Sequence, residues 1–286
     1  MSNKVISIDL GATNLRVGAV TSNGEILDVI RESTTKDDAS LLYAQIKRML
    51  SEIYSKHPDV TKVGMSTCGL CEKGVATALP NLHIYDFKIK ELIEKDFPSL
   101  EVTIANDANC AALVEAKLGH GAKHRVTYFI TISSGIGSGL VVDGELVDLP
   151  FETGHNYIGY QSRFYEFEEL CSGNGLVKLA KLNGVNVKNA AEFFSLVKNK
   201  DTKIQKAYDS WLQLVGAHLA NVQLNYNTDC IILSGGVMKS IDLFLEDLKK
   251  IVDAFIAPYP IKKVNFVNAT FDQDAGLLGG ASLALF

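Results

Sequence analysis

The chain has 286 residues and carries 28 Lys and Arg against 33 Asp and Glu, a formal net charge of -5, which argues against a protein that holds nucleic acid through a large basic patch. Hydrophobic residues make up 47% and charged residues 21%, the balance of a folded globular protein of one large or two modest domains. Apolar runs such as Cys230-Ile231-Ile232-Leu233 fall far short of the roughly 20 residues that a membrane-spanning helix needs, and Val5-Ile6-Ser7-Ile8 is too short a run before Asp9 for a secretory signal.

In chain order, Val5 to Ile8 reads as a strand that ends at Asp9-Leu10-Gly11-Ala12-Thr13-Asn14. Leu15 to Val20 resumes the strand pattern, and Asn23-Gly24 turns it into Glu25-Ile26-Leu27. Residues 38–56 have helical spacing, with Leu41, Leu42, Ile46, Met49, Leu50 and Ile53 on one broad face. Lys62 to Thr67 is a strand before a Cys68-Gly69 turn, and Val102 to Ile104 is a strand ending in Asn106-Asp107. A helix runs from there to about Leu118, where Gly119 suits the cap.

The second half restarts the plan. Val126 to Ile132 is a strand, residues 133–139 a glycine-rich turn, Leu140 to Val142 a returning strand, and Asp143-Gly144 a turn into Glu145-Leu146-Val147. Strand, glycine-rich turn, strand, Asx-Gly hairpin and strand therefore occur twice, a loose internal repeat. Ile204 to Leu224 is one long helical pattern, Asp229 to Leu233 a strand leading into Ser234-Gly235-Gly236, and Ser240 an expected N-cap for a helix to Ile256. Val264 to Phe266 is a last strand and Ala275 to Phe286 a closing helix. Strands alternating with helices indicate an α/β protein.

Five short motifs carry chemistry. Asp9-x-Gly11-x-Thr13-Asn14 is either a polar hairpin or a turn whose backbone N–H groups and Thr13 hydroxyl meet a phosphate. Asp9 would repel a phosphate directly but could hold Mg²⁺ through water. Gly135-x-Gly137-x-Gly139 superficially matches a dinucleotide fingerprint, yet strands flank it on both sides and the third fingerprint glycine is missing, so a second phosphate clamp or a structural hairpin remains. Asp107 ends a strand where it could accept a proton from a hydroxyl, with the helix N-terminus favouring its ionised form; Asn and Asp are equally ordinary capping residues. Glu152-Thr153-Gly154-His155, followed by Glu168, offers carboxylates and an imidazole suited to vicinal sugar hydroxyls. Ser234-Gly235-Gly236 could pack against an adenine or ribose, or simply pack a strand tightly on a helix. The five cysteines, at 68, 71, 110, 171 and 230, are odd in number and scattered, which reads as reduced thiols in a cytoplasmic protein.

The order of these motifs resembles a sugar kinase of the ROK family (repressor, open reading frame, kinase), and the resemblance runs from Asp9 to the final Ala275-Gly276-Leu277-Leu278-Gly279-Gly280-Ala281 helix. It implies an actin-like ATPase (ribonuclease H-like) fold, with two similar α/β domains flanking a cleft, at residues 1–107 plus 271–286 and residues 108–270. It implies Asp107 as the catalytic base. It implies Gly69, Asn81, Asn106, Asp107, Glu152, His155 and Glu168 around the sugar. ATP would meet Asp9, Gly11, Ala12, Thr13, Asn14, Ser133, Ser134, Gly135, Gly137, Ser234, Gly235 and Gly236, with Mg²⁺ near Asp9. A homodimer is also implied.

The chain departs from the family pattern in ways that matter. The family's cysteine-rich zinc knuckle has no counterpart in residues 156–167, so zinc is expected to be absent and His155 to be oriented by something else, an aromatic among Tyr157, Tyr160 and Phe164 being the expectation. Ser133-Ser134 stands where relatives show Gly-Thr, which puts a side chain near the phosphates, and Cys68 replaces a proline. In keeping Glu-x-Gly-His without the knuckle the chain resembles certain bacterial N-acetylmannosamine kinases of the family, which implies N-acetylmannosamine as the first expected substrate and glucose as the second. A sugar-sensing repressor would need a helix-turn-helix segment for which there is no room before Asp9; a non-catalytic sugar-binding protein is the alternative of a different class.

Overall fold

A computed structural model describes residues 3–147 and 152–286. They divide into two compact units, residues 3–122 with 271–286 and residues 123–147 with 152–270.

The first unit opens with an antiparallel meander of β1 (Lys4–Leu10), β2 (Asn14–Thr21) and β3 (Ile26–Ser33). α1 (Ala39–Lys56) starts where the Asp38 carboxylate accepts the N–H groups of Ser40 and Leu41, and it buries Leu42, Ile46, Met49, Leu50 and Ile53. β4 (Lys62–Thr67) pairs with β1 in parallel. Next come β5 (Leu70–Glu72), β6 (Val75–Leu79) and β7 (Ile84–Phe87), which form a small antiparallel sheet, and α2 (Ile89–Asp96). None of these four was legible in the sequence. β8 (Glu101–Asn106) pairs in parallel with β4 and leads into α3 (Asp107–Lys117). The sheet order is β3-β2-β1-β4-β8.

The second unit repeats that order. β9 (Val126–Ile132), β10 (Ile136–Val142) and β11 (Glu145–Leu146) form the meander, turned at Asp143 (φ 54°) and Gly144 (φ 79°), the positive pair a two-residue hairpin needs. A hairpin of β12 (Tyr157–Tyr160) and β13 (Arg163–Glu166) precedes α4 (Phe167–Cys171), α5 (Gly173–Leu182), α6 (Ala190–Lys198) and α7 (Thr202–Tyr226). β14 (Cys230–Ser234), α8 (Leu245–Ile256) and β15 (Phe266–Asn268) follow, and the sheet runs β11-β10-β9-β14-β15. Each unit closes its own core, one around Trp211, Phe193 and Phe244, the other around Ile8, Leu42 and Ile46.

α9 (Ala275–Leu285) returns the chain to the first unit. Its glycines let backbones touch: a Cβ on Gly279 would strike the backbone of Cys110 in α3, and Gly64 of β4 lies against the Gly280 carbonyl. This packing holds α3 in the first unit, so the boundary falls after Ala122 and not at Asp107 as expected. Three further expectations shift. β10 starts at Ile136, so Gly137 and Gly139 are strand residues and the turn is only Ser133 to Gly135. Ser240 is a kink in a 3₁₀ segment and caps nothing; α8 starts after Phe244, from which Leu248, Val252 and Ile256 follow at the four-residue steps of one buried face. The last strand begins at Phe266 rather than Val264. No helix among the described residues is long and apolar enough to cross a membrane.

Candidate active site

Parallel strands place loop residues at their C-terminal edge, where open α/β sheets bind ligands. In the first unit β1, β4 and β8 are in register there, with Leu10 beside Thr67 and Thr67 beside Asn106. That brings Asp9, Gly11 to Asn14, Cys68-Gly69 and Asn106-Asp107 to one edge.

The first turn is tight and pinned. The Gly11 N–H donates to the Asn14 carbonyl at 3.0 Å, and a Cβ on Gly11 would approach that oxygen to 3.1 Å. Thr34, the residue after β3, fixes the turn: its hydroxyl donates to the Gly11 carbonyl at 2.7 Å and its N–H to the Thr13 carbonyl at 3.1 Å. Asp9 Oδ2 accepts from Arg16 Nε at 2.9 Å and Nη2 at 2.7 Å. Arg16 also reaches Asp274 Oδ1 at 2.9 Å and the Gln273 carbonyl at 2.6 Å. Burial raises the Asp9 carboxyl above its ordinary range although Arg16 pulls the other way. The carboxylate rests on the first turn of α9, where Gly276 leaves room that a Cβ would fill. A hollow of about 420 Å³ opens here, lined by Asp9, Gly11 to Asn14, Arg16, Arg31 and Gln273. Arg31 is exposed, and its Nε donates to Asn14 Oδ1 at 3.2 Å.

Asn106 caps α3, accepting the Ala108 N–H at 2.9 Å, and its Nδ2 donates to the Gly69 carbonyl at 2.8 Å. Asp107 Oδ1 accepts the same Ala108 N–H at 2.8 Å. Gly69 has φ 88° and packs so closely on Ala78 that no side chain fits. Burial, with the Asp107 charge behind it, pushes the Cys68 thiol up to about 12, so it is not a thiolate nucleophile. Asn81 is exposed in the 3₁₀ turn Pro80–Leu82, two residues beyond Leu79, which packs on Gly69.

In the second unit the turn Ser133 to Gly135 lies at the end of β9. The Ser133 N–H donates to the Gly135 carbonyl at 2.8 Å, and its hydroxyl points to that same carbonyl at 3.5 Å, so the feared side chain is folded into its own turn. Ser134 is exposed. β14 runs parallel beside β9, with Ser234 level with Thr131. Gly235 (φ 97°) presses on the Ile132 backbone, whereas a Cβ on Gly236 would meet nothing within 4 Å. That pairing brings the ends of β9 and β14 side by side.

Glu168, from α4, accepts the Ile136 N–H at 2.6 Å. Gly135 and Gly154 both lie against its carboxylate, so Glu168 joins the turn to the Glu152–His155 segment. Burial raises the half-buried Glu152 carboxyl, His155 opposes it and Glu168 adds to it. His155 is oriented by Glu166, with Nδ1 and Oε2 2.8 Å apart, and not by an aromatic side chain: Tyr157 and Phe164 are exposed, and Tyr160 donates to Asn183 instead. Among the described residues no group of three or more His, Cys, Asp or Glu side chains is placed to hold a metal ion. A magnesium ion here would therefore depend on phosphate oxygens, with one carboxylate in support, which Asp9 can supply.

Sequence reasoning missed Arg16, Arg31 and Glu166. The first two stand opposite each other in the β2–β3 register, so pairing outward from the Asn23-Gly24 turn signals them. Glu166 comes to His155 through the β12–β13 hairpin, whose turn residues Gln161 and Ser162 take φ 46° and 61° without any glycine to announce it.

The ROK family model matches residues 5–286. A glucokinase of Halalkalibacterium halodurans is 26% identical over 97% of this chain and 94% of its own length. A ROK hexokinase from Thermus thermophilus has the same fold, with a TM-score of 0.87 at 24% identity, over 98% of this chain and 97% of its own. Lmo2764 from Listeria monocytogenes, a proposed N-acetylmannosamine kinase, superposes with a TM-score of 0.80 at 27% identity over 97% of both chains.

Proposed function

The chain belongs to the ROK family and is by that kinship a sugar kinase, and from this premise we propose that it transfers a phosphoryl group from ATP to the 6-hydroxyl of a hexose or N-acetylhexosamine, N-acetylmannosamine first. The observation that carries the reading is the placement of Asp107: a carboxylate at the start of α3, on the strand edge that also holds the Gly11 turn and Asp9.

Asp107 accepts the proton of the attacking hydroxyl. Asn106 keeps it in place by capping α3 and tying Gly69. By the family resemblance Asn81, Asn106 and Gly69 are the sugar ligands of the first unit, and Glu152, His155 and Glu168 those of the second. The Gly11–Asn14 and Ser133–Gly135 turns, with Gly137 behind the second, bind the phosphates through backbone N–H groups and the Thr13 and Ser134 hydroxyls. The space over Gly236 takes the adenosine. Magnesium, when bound to the nucleotide and supported by Asp9, neutralises charge on the phosphates. Positioning and electrostatics supply most of the rate, as in phosphoryl transfer generally. On the same reading the enzyme works as a homodimer in the cytoplasm.

Glucose is the second reading, favoured by the full-length similarity to a glucokinase. Coupled ADP release with Mg-ATP across N-acetylmannosamine, glucose, N-acetylglucosamine and fructose decides between them. Asp107→Asn is expected to lower kcat by about 10²- to 10⁴-fold while sugar binding persists. Near-normal turnover in that variant would sink the base assignment, and silence of the wild type on every sugar would leave a non-catalytic sugar-binding protein.

A further inference from the structure

The side chains around His155 are unequal in what they offer a hydroxyl. Glu152, Glu166 and Glu168 are carboxylates, acceptors only when ionised. Their charges are those that act on the imidazole: Glu166 through its hydrogen bond, then Glu152 and Glu168 through space. Glu169, the remaining acid of this segment, is turned away, bonded by Lys178 Nζ and by the Glu166 N–H. A sugar hydroxyl both donates and accepts. Among these four side chains acceptors for its proton are in excess, and His155 is the one that can donate to its lone pairs.

Glu166 decides which ring atom does so. A carboxylate can only accept, so at 2.8 Å the Nδ1 atom of His155 must carry its proton toward Glu166. The Glu166 backbone is itself held, because its N–H donates to Glu169 at 3.0 Å where β13 passes into α4. Nε2 is left as the free end of the ring. It accepts in the neutral ring and donates in the imidazolium.

We propose that Glu166 is a positioning residue of the sugar site, which fixes the Nδ1–H of His155 and so aims Nε2 at a sugar hydroxyl. The proposal rests on the reading of His155 as a sugar ligand. The pair is exposed, 59% and 37% by side chain, so it adds little to stability and its use must be sought in the ring it aims. With Glu166 present the His155 pKa is raised above its ordinary value, burial opposing only in part. Where the imidazolium donates from Nε2, sugar affinity falls as pH rises through that raised value.

The test is the sugar KM and kcat/KM against pH for the full-length wild type and Glu166→Gln at saturating Mg-ATP, using whichever sugar of the panel the wild type turns over best. Expected on the alkaline limb of the wild type is a rise in sugar KM of about tenfold in the variant, with kcat and the ATP KM changed by less than about twofold, and the limb itself displaced to lower pH. An unchanged KM and limb would overturn the proposal. A long-range ¹H–¹⁵N spectrum, with His155→Gln to assign the ring, reads the same point without turnover. Nδ1 should carry a proton in the wild type and lose that preference in Glu166→Gln; a wild-type ring protonated on Nε2 alone also overturns the proposal. If no sugar is phosphorylated but the ring shows the expected protonation, it is the sugar-kinase reading that fails and not the positioning by Glu166.

Discussion

In the first unit Asp9 faces Arg16 across the β1–β2 ladder; at the same place in the second, Thr131 faces Gly137 across β9 and β10. The strand orders match, and both turns follow the first strand of a meander. Yet the first turn is built around charge, with Asp9, Arg16 and Asp274 joined and Arg31 alongside. The second is built from backbone, and its acid, Glu168, arrives from a helix that has no counterpart in the first unit. The repeat therefore copies the frame and not the chemistry. A doubled scaffold can give two turns of one shape and let each acquire its own electrostatics.

The most damaging way to probe that contrast is Arg16→Met. Arg16 and Asp9 are largely buried, with side chains 14% and 16% exposed, and Asp9 is already disfavoured as an anion by burial. Removing the guanidinium leaves a buried carboxylate uncompensated, which costs about 3 kcal/mol. Urea unfolding should show that loss, and turnover should fall with it because Asp9 would bind a proton more readily. A loss below about 1 kcal/mol would mean that the first turn also stands on its backbone, since an exposed pair is worth no more.

A second contrast lies in the cores. The second unit buries His218, stacked on Phe167 at a centroid distance of 4.3 Å, with no hydrogen-bond partner for Nε2. Burial alone drives its pKa down to about 4. The unfolded chain, with an ordinary pKa near 6.5, binds a proton over this range while the folded chain does not. Stability in this unit should thus fall as pH drops from about 6.5 toward 4, by about 2 kcal/mol at pH 5. Trp211, the single tryptophan, lies in the core of the same unit, so its fluorescence follows that unit alone. In His218→Leu the acid loss should flatten; if the fluorescence midpoint moves with pH as in the wild type, another group carries the acid sensitivity.

Which features were legible in the sequence follows from the range of the forces that set them. β1, α1, β4 and β9 stand where short-range periodicity puts them, because each buries a regular face. The order of acidic and glycine motifs marked the strand ends at Asp9 and Asn106-Asp107 in the first unit and at Ser133 and Ser234 in the second. Partnerships did not follow from order. Arg16 serves Asp9 and Asp274 from positions 7 and 258 residues away, and Glu166 reaches His155 only because an unannounced hairpin folds back. Residues 70–96 were silent because three strands of three to five residues are too short for alternation to show. Gly137 looked like part of a turn because glycine spacing does not reveal where pairing begins; its Thr131 partner does.

The mildest substitution is aimed at the second turn itself. If that turn acts through backbone N–H groups, the side chain at Ser133 is dispensable there, since its hydroxyl addresses only the Gly135 carbonyl at 3.5 Å, a weak contact. Ser133→Gly should then leave the ATP KM within about twofold and cost less than about 1 kcal/mol, mostly the added freedom of the unfolded chain. Ser134 is the internal control. Its exposed hydroxyl is free to meet a phosphate, and Ser134→Ala should raise the ATP KM by about tenfold, the worth of one hydrogen bond to a charged group. A rise on Ser133→Gly with none on Ser134→Ala would reverse the two roles. It would also show that the second turn depends on a side chain at its first position, as the first turn depends on the Asp9–Arg16 pair at its base.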